Sequence, residues 1–151
     1  MSGADPVILA VDPGREKCGM AVLDGGRVVA RGVLPIDQMA ATALRWARDF
    51  GAHTIVLGNR TGAADAKARL EAAVSAVPVV LVDEAGTTEV ARRRYFAEHP
   101  PRGWRRLIPV GMQTPPDPYD DYVAVLLAER FLSDVGKLAG TSQNGNVRPF
   151  R

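Results

Sequence analysis

An uninterrupted apolar run, Val7 to Val11, meets Asp12-Pro13-Gly14 near the start of the chain. Such a run reads as a strand buried on both faces, and Pro-Gly ends it at once. From Lys17 to Leu23 the pattern alternates instead, with Cys18, Met20 and Val22 on one face and Gly19, Ala21 and Leu23 on the other. This predicts a second strand. Asp24-Gly25-Gly26 is a hairpin signal, because glycine takes positive φ without steric cost. Val28 to Leu34 forms a third strand, and Pro35 closes an antiparallel meander.

Beyond Pro35 the period changes. Ile36, Met39, Ala40, Ala43, Leu44, Ala47 and Phe50 recur at helical spacing, and Gly51 is placed to stop the helix. Thr54 to Gly58 is apolar enough for a fourth strand, followed by a loop at Asn59-Arg60-Thr61-Gly62. Ala63 to Ser75 predicts a second helix. Pro78 to Val82 predicts a fifth strand running into Asp83-Glu84, and Thr88 to Ala97 a third helix. Residues 99–118 are rich in proline and read as a long irregular loop; long loops in compact domains usually carry function or are disordered. Asp117 to Asp121 opens a last helix that reaches about Leu132. The chain is read as one domain over residues 1–135, with 136–151 expected to be a disordered tail.

This order predicts an α/β fold. Three hairpin-linked strands followed by strand–helix units give a mixed five-stranded sheet with helices on both faces. Right-handed crossovers place strands 4 and 5 beyond strand 1, giving the order 3-2-1-4-5 with strand 2 antiparallel. The carboxyl ends of strands 1, 4 and 5 then share one edge, where open α/β sheets bind ligands.

Composition narrows the class. At 151 residues and 46% hydrophobic content, the chain suits one globular domain. No apolar segment is long enough for a membrane span, and no basic-then-apolar start suggests a signal peptide. The single cysteine, Cys18, excludes a disulfide framework and a cysteine-based zinc site and suits a reducing cytosol, so a cytoplasmic protein is expected. The net charge is only +2, but all except three of the nineteen basic residues are arginine. Arg92, Arg93, Arg94, Arg102, Arg105 and Arg106 form a basic stretch opposed by one acid, Glu98. Arginine presents a planar fork of donors to phosphate, and a local basic patch is the footprint of a nucleic-acid binder.

Acids gather at the same sheet edge. Asp12 ends strand 1, Glu84 follows strand 5, and Asp120 and Asp121 begin the last helix, with Asp117 one turn earlier. Hard divalent cations take oxygen ligands, and Mg²⁺ typically uses one or two carboxylates plus phosphate oxygens. Two such ions can activate water and stabilise the leaving oxygen in phosphodiester cleavage. Neither His53 nor His99 suggests a catalytic role, and Cys18 reads as a small core residue.

Together, Asp12-Pro13-Gly14 with Gly19, Asp83-Glu84 followed by Thr87-Thr88, and Asp120 with Ala124 one turn on resemble the YqgF/RuvC group of the RNase H-like superfamily. The likeness spans roughly residues 6–133, and Asp-Glu-x-x-Thr-Thr is its most specific part. It implies an RNase H-like fold, with Asp12, Glu84 and Asp120 as catalytic ligands of Mg²⁺ or Mn²⁺ and Asp121 and Asp117 as possible additional acids. The RuvC branch keeps its second acid at the end of strand 4. Here that place reads Gly58-Asn59, so Glu84 serves, as in the YqgF branch. That branch usually has arginine after Asp-Glu, where this chain has Ala85.

The function so implied is a divalent-metal-dependent nuclease acting on RNA, as in ribosomal RNA processing, or on structured nucleic acid. Lys17, Arg60, Arg92, Arg93, Arg94, Arg102, Arg105 and Arg106 would hold phosphates, and Trp104 would stack on an unpaired base. The alternatives are a Holliday-junction resolvase, which needs a two-fold dimer, and a non-catalytic binding factor in ribosome assembly or transcription. An actin-like phosphotransferase would need a second domain to enclose nucleotide. The expected partners are RNA or branched DNA and no membrane, and the chain would act as a monomer or homodimer.

Overall fold

The computed structural model describes residues 5–60, 62–109, 112, 113, 115 and 118–146, with side chains described up to residue 136. Five strands, β1 (Val7–Pro13), β2 (Lys17–Asp24), β3 (Arg27–Pro35), β4 (Thr54–Gly58) and β5 (Val79–Val82), form one sheet in the order β3-β2-β1-β4-β5. β2 is antiparallel to both neighbours, whereas β4 and β5 run parallel to β1. Among the described residues, four α-helices surround it: α1 (Met39–Phe50), α2 (Ala63–Ala73), α3 (Thr87–Glu98) and α4 (Asp120–Asn146).

β1 lies at the centre, and its two faces supply two cores. Val7, Leu9 and Val11 pack with Met39, Ala43 and Leu70 of α1 and α2. Ile8 and Ala10 pack with Tyr95, Val123 and Leu127 of α3 and α4. This is why the sequence of β1 does not alternate. A Leu9→Ala change would cost about 2–5 kcal/mol, the usual range for a fully buried leucine. α1 stops where Gly51 adopts φ 65° and its N–H bonds the Ala47 carbonyl, a left-handed cap that glycine makes cheaply.

Several spans differ from the sequence reading, among them the first helix, which begins at Met39 after a 3-10 turn over Ile36–Gln38. The proline-rich loop contains a 3-10 turn, Gly103–Leu107. The last helix starts at Asp120 and continues to Asn146, beyond the end expected near Leu132 and through much of the expected tail at 136–151. Extending a helix already anchored on the core needs no new nucleus, so weak apolar periodicity does not stop it. Residues 147–151 lie outside the described residues, as does Asp117. Among the described residues, no helix is long and apolar enough to cross a membrane.

Candidate active site

Register brings the acids together. Val11 pairs with Leu57 across β1 and β4, and Gly58 pairs with Val82 across β4 and β5. Asp12, Gly58 and Val82 therefore lie level with one another at the carboxyl ends of their strands. Glu84, two residues past Val82, folds back along that edge. Its side chain lies on Gly58, where a Cβ would stand 2.4 Å from Glu84 Cδ and 2.5 Å from Oε2. A side chain at position 58 and Glu84 in this position exclude one another.

On the other flank, Asp12 pairs with Gly19 of β2. The first turn of α4 rests directly on that glycine: a Cβ there would overlap the Asp120 carbonyl at 2.1 Å and the Asp121 nitrogen at 2.6 Å. Glycine in a strand interior commonly marks such a close backbone approach. Gly19 thus sets Asp120 near Asp12, and Gly58 does the same for Glu84.

The loop that carries Glu84 is held from several sides. Thr87 donates both its hydroxyl (2.7 Å) and its backbone N–H (3.0 Å) to the Glu84 carbonyl. The Glu84 N–H donates to Asn59 Oδ1 at 3.3 Å. The Arg60 N–H donates to Glu84 Oε2 at 3.1 Å, and Arg60 Nε lies 3.0 Å from Oε1. The same guanidinium donates to Thr88 Oγ1 at 3.0 Å. The Asp-Glu-x-x-Thr-Thr sequence is therefore a positioning device: Thr87 fixes the acid's backbone, and Thr88 anchors the arginine beside its carboxylate.

Asp12 is only 3% exposed. Burial first, and then the adjacent Glu84, push its carboxyl up to about 8; a hydrogen bond with Glu84 and the charge of Asp120 add to this, and Arg60 opposes it. Burial also raises Asp120, against the pull of Arg60 and Lys17. Cys18 lies in the same field. Burial, followed by Asp12 and Asp120, lifts its thiol to about 11, so it stays neutral.

Asp12 Oδ1 is buried without a hydrogen-bond donor, and Glu84 Oε1 is buried with the Arg60 guanidinium 3.0 Å away as its ion-pair partner. Orphaned buried acceptors are rare and call for a cause, and paired oxygen donors of this kind suit a hard divalent cation. Among the described residues, no three carboxylate, histidine or cysteine side chains already stand close enough to enclose an ion. Asp12 and Glu84 are nonetheless hard oxygen donors of the type Mg²⁺ or Mn²⁺ takes, with the charge of Asp120 felt at Asp12.

Asp121 faces elsewhere. Its Oδ2 is 3.5 Å from Arg31 Nε. Arg31 also reaches Glu98 at 3.3 Å and lies over the Tyr122 ring at 4.3 Å. Tyr122 donates its hydroxyl to Glu98. This network ties β3, α3 and α4 together away from Asp12.

The basic residues divide. Arg94 forks onto Glu129 at 2.7 and 3.1 Å, so its guanidinium serves the α3–α4 contact. Arg92 is half-buried. Lys17, Arg93, Arg102, Arg105 and Arg106 are exposed, as is Trp104 at 69%, with the Arg105 guanidinium 5.9 Å from its ring centre. Sequence reasoning overlooked Asn59 and the seating roles of Gly19 and Gly58. The signal available for Gly19 was a glycine inside an otherwise apolar strand.

No protein-family model matches the chain, and a search of curated proteins gives no significant match. Solved structures do resemble it. RuvC of Thermus thermophilus in complex with a Holliday-junction substrate is 17% identical with a TM-score of 0.52, covering 82% of this chain and 90% of that one. Thermus thermophilus RuvC in a second structure is 16% identical with a TM-score of 0.51, over 81% and 90%. At this level of identity the likeness concerns the fold, which is RNase H-like.

Proposed function

We propose that the chain is a divalent-metal-dependent nuclease. The observation that carries this reading is the convergence of Asp12, Glu84 and Asp120, from three separate elements, on one sheet edge. The buried Asp12 Oδ1 lacks a donor, and Glu84 Oε1 has only the Arg60 guanidinium beside it. Asp12 and Glu84 would hold Mg²⁺ or Mn²⁺, with Asp120 as the third acid; Asp121 is engaged by Arg31. When bound, the metal would supply charge stabilisation at the scissile phosphate and activation of water.

The chain's own groups have distinct parts. Burial and the adjacent Glu84 favour the protonated form of Asp12 in the free protein, and a bound cation would favour its carboxylate. Arg60 keeps Glu84 oriented through its backbone N–H, and its half-exposed guanidinium can also meet phosphate. Lys17, Arg93, Arg102, Arg105 and Arg106 would carry the backbone, and Trp104 an unpaired base.

RNA of the ribosomal-processing kind is the preferred substrate, on the strength of the Asp-Glu-x-x-Thr-Thr element. The alternative is a four-way DNA junction cut by a homodimer; the junction-bound Thermus protein shares the fold. A non-catalytic factor is a third reading, favoured by the pairing of Glu84 with Arg60. Cleavage of labelled single-stranded RNA, duplex DNA and a four-way junction with Mg²⁺, Mn²⁺ or EDTA separates the three. Metal-dependent products identify a nuclease and its substrate, whereas salt-sensitive binding without products favours the factor.

A further inference from the structure

A cleft of about 720 Å³ opens beside the acid edge, between the turn after β1 and the start of α2. That size lies within the usual ~300–1,000 Å³ of ligand sites. Gly14, Arg15, Arg60, Asp65 and Arg69 line it, and Ile36 contributes apolar wall. Pro13-Gly14 directly follows Asp12, so the cleft begins where the acid cluster ends. It belongs to the α1–α2 face of the sheet, whereas the arginines after Arg92 belong to the α3–α4 face.

The charge in the cleft is one-sided. Arg15 is exposed and has no ion pair among the described residues. Among the described residues Arg69 pairs only with the exposed Asp65, at 3.1 Å on the same helix, an arrangement worth little in water. Arg60 spans the boundary between cleft and acid edge. The first turn of α2 also enters the cleft, and Gly62 at its N-cap supplies no side-chain acceptor. Its dipole adds to the positive field.

We propose that this cleft holds the phosphodiester backbone of the nucleic-acid strand on one side of the cut, gripped by Arg15, Arg60 and Arg69. This assignment rests on the nuclease reading. The strand then crosses the acid edge from the α2 side toward the exposed arginines of the α3 side. Three planar guanidiniums along an open cleft suit successive phosphates. The apolar area of the half-buried Ile36 suits the sugar face between them.

The test is anisotropy binding of a short fluorescein-labelled single-stranded RNA to the full chain in EDTA, across a salt series. Arg15→Ala/Arg69→Ala is expected to weaken binding on the order of ten-fold and to flatten the salt slope by about 1.4, the share of two phosphate contacts on a single strand. Asp65→Asn is expected to tighten binding, a result that a purely structural role for Asp65 would not give. Unchanged affinity and slope in the double variant, with its melting temperature intact, overturn the assignment. So does displacement of the RNA by a nucleoside monophosphate from the wild type but not from the double variant, which would mark a nucleotide pocket. Because no turnover occurs in EDTA, the outcome is independent of cleavage. A binding loss in a protein that cuts nothing keeps the cleft and removes the nuclease. Cleavage with unaltered binding does the reverse.

Discussion

The Glu84 carboxyl group rests on the Cα of Gly58, so closely that a methyl group at position 58 would stand 2.4 Å from Glu84 Cδ. The acid supplied by β5 thus occupies space at the end of β4, and glycine there is the condition for it. Gly58→Ala is expected to dislodge the carboxylate while the sheet persists. Metal-dependent cleavage should fall on the order of a hundred-fold, the scale of a misplaced catalytic group. Thermal melting should report a loss of only about 1–3 kcal/mol. Near-wild-type cleavage by Gly58→Ala would show that Glu84 need not sit there.

Gly19 is the corresponding seat for α4. Because a Cβ at this position meets Asp120 backbone at 2.1 Å, the helix must move for Gly19→Ala to fold. Urea unfolding should show a loss of about 3 kcal/mol or more, beyond the usual overpacking cost. Cleavage should fall further than stability explains, since Asp120 moves away from Asp12. A change of less than about 1 kcal/mol would contradict the docking.

Asp12 links stability to pH. Its carboxyl titrates near 8 in the fold against an ordinary 3.8. Between those values the folded protein holds a proton that the unfolded chain has released, so stability is highest on the acid side and declines as pH rises through the window. In metal-free buffer, Asp12→Asn should match the wild type near pH ~4 and exceed it by on the order of a few kcal/mol near pH ~9. Urea melts at the two pH values check this. Mg²⁺ should cancel much of the wild-type decline and have little effect on the variant.

Trp104 is exposed beside Arg105, and little packing is lost on removing it. Trp104→Ala should leave melting unchanged and weaken single-stranded RNA binding by about 1–3 kcal/mol, the worth of one stacked base. Anisotropy titration measures this, and equal affinities would leave Trp104 without a stacking role.

Much of this was legible in the chain. The unbroken run at Val7–Val11 announced a central strand, and the meander followed by strand–helix units led to the 3-2-1-4-5 order. Local period carries that information. Asp12 and Glu84 were recognisable because each interrupts or follows an apolar strand. What local pattern could not supply was tertiary placement. Asp120 and Asp121 are equivalent by sequence, and only Arg31, from β3, draws Asp121 away. Arg94 read as one of a basic run, yet Glu129 claims it from α4. The cleft with Arg15 and Arg69 is assembled from distant turns. The length of α4 was missed because an anchored helix can outrun its apolar stripe.

The most direct measurement is cleavage of single-stranded RNA and of a four-way DNA junction by wild type and Asp12→Asn, with Mg²⁺, with Mn²⁺ and with EDTA. The account predicts products from the wild type with metal, none in EDTA and none from the variant, which should still bind nucleic acid. Equal cleavage by the variant, or cleavage that persists in EDTA, would contradict the assignment of this edge as the active site.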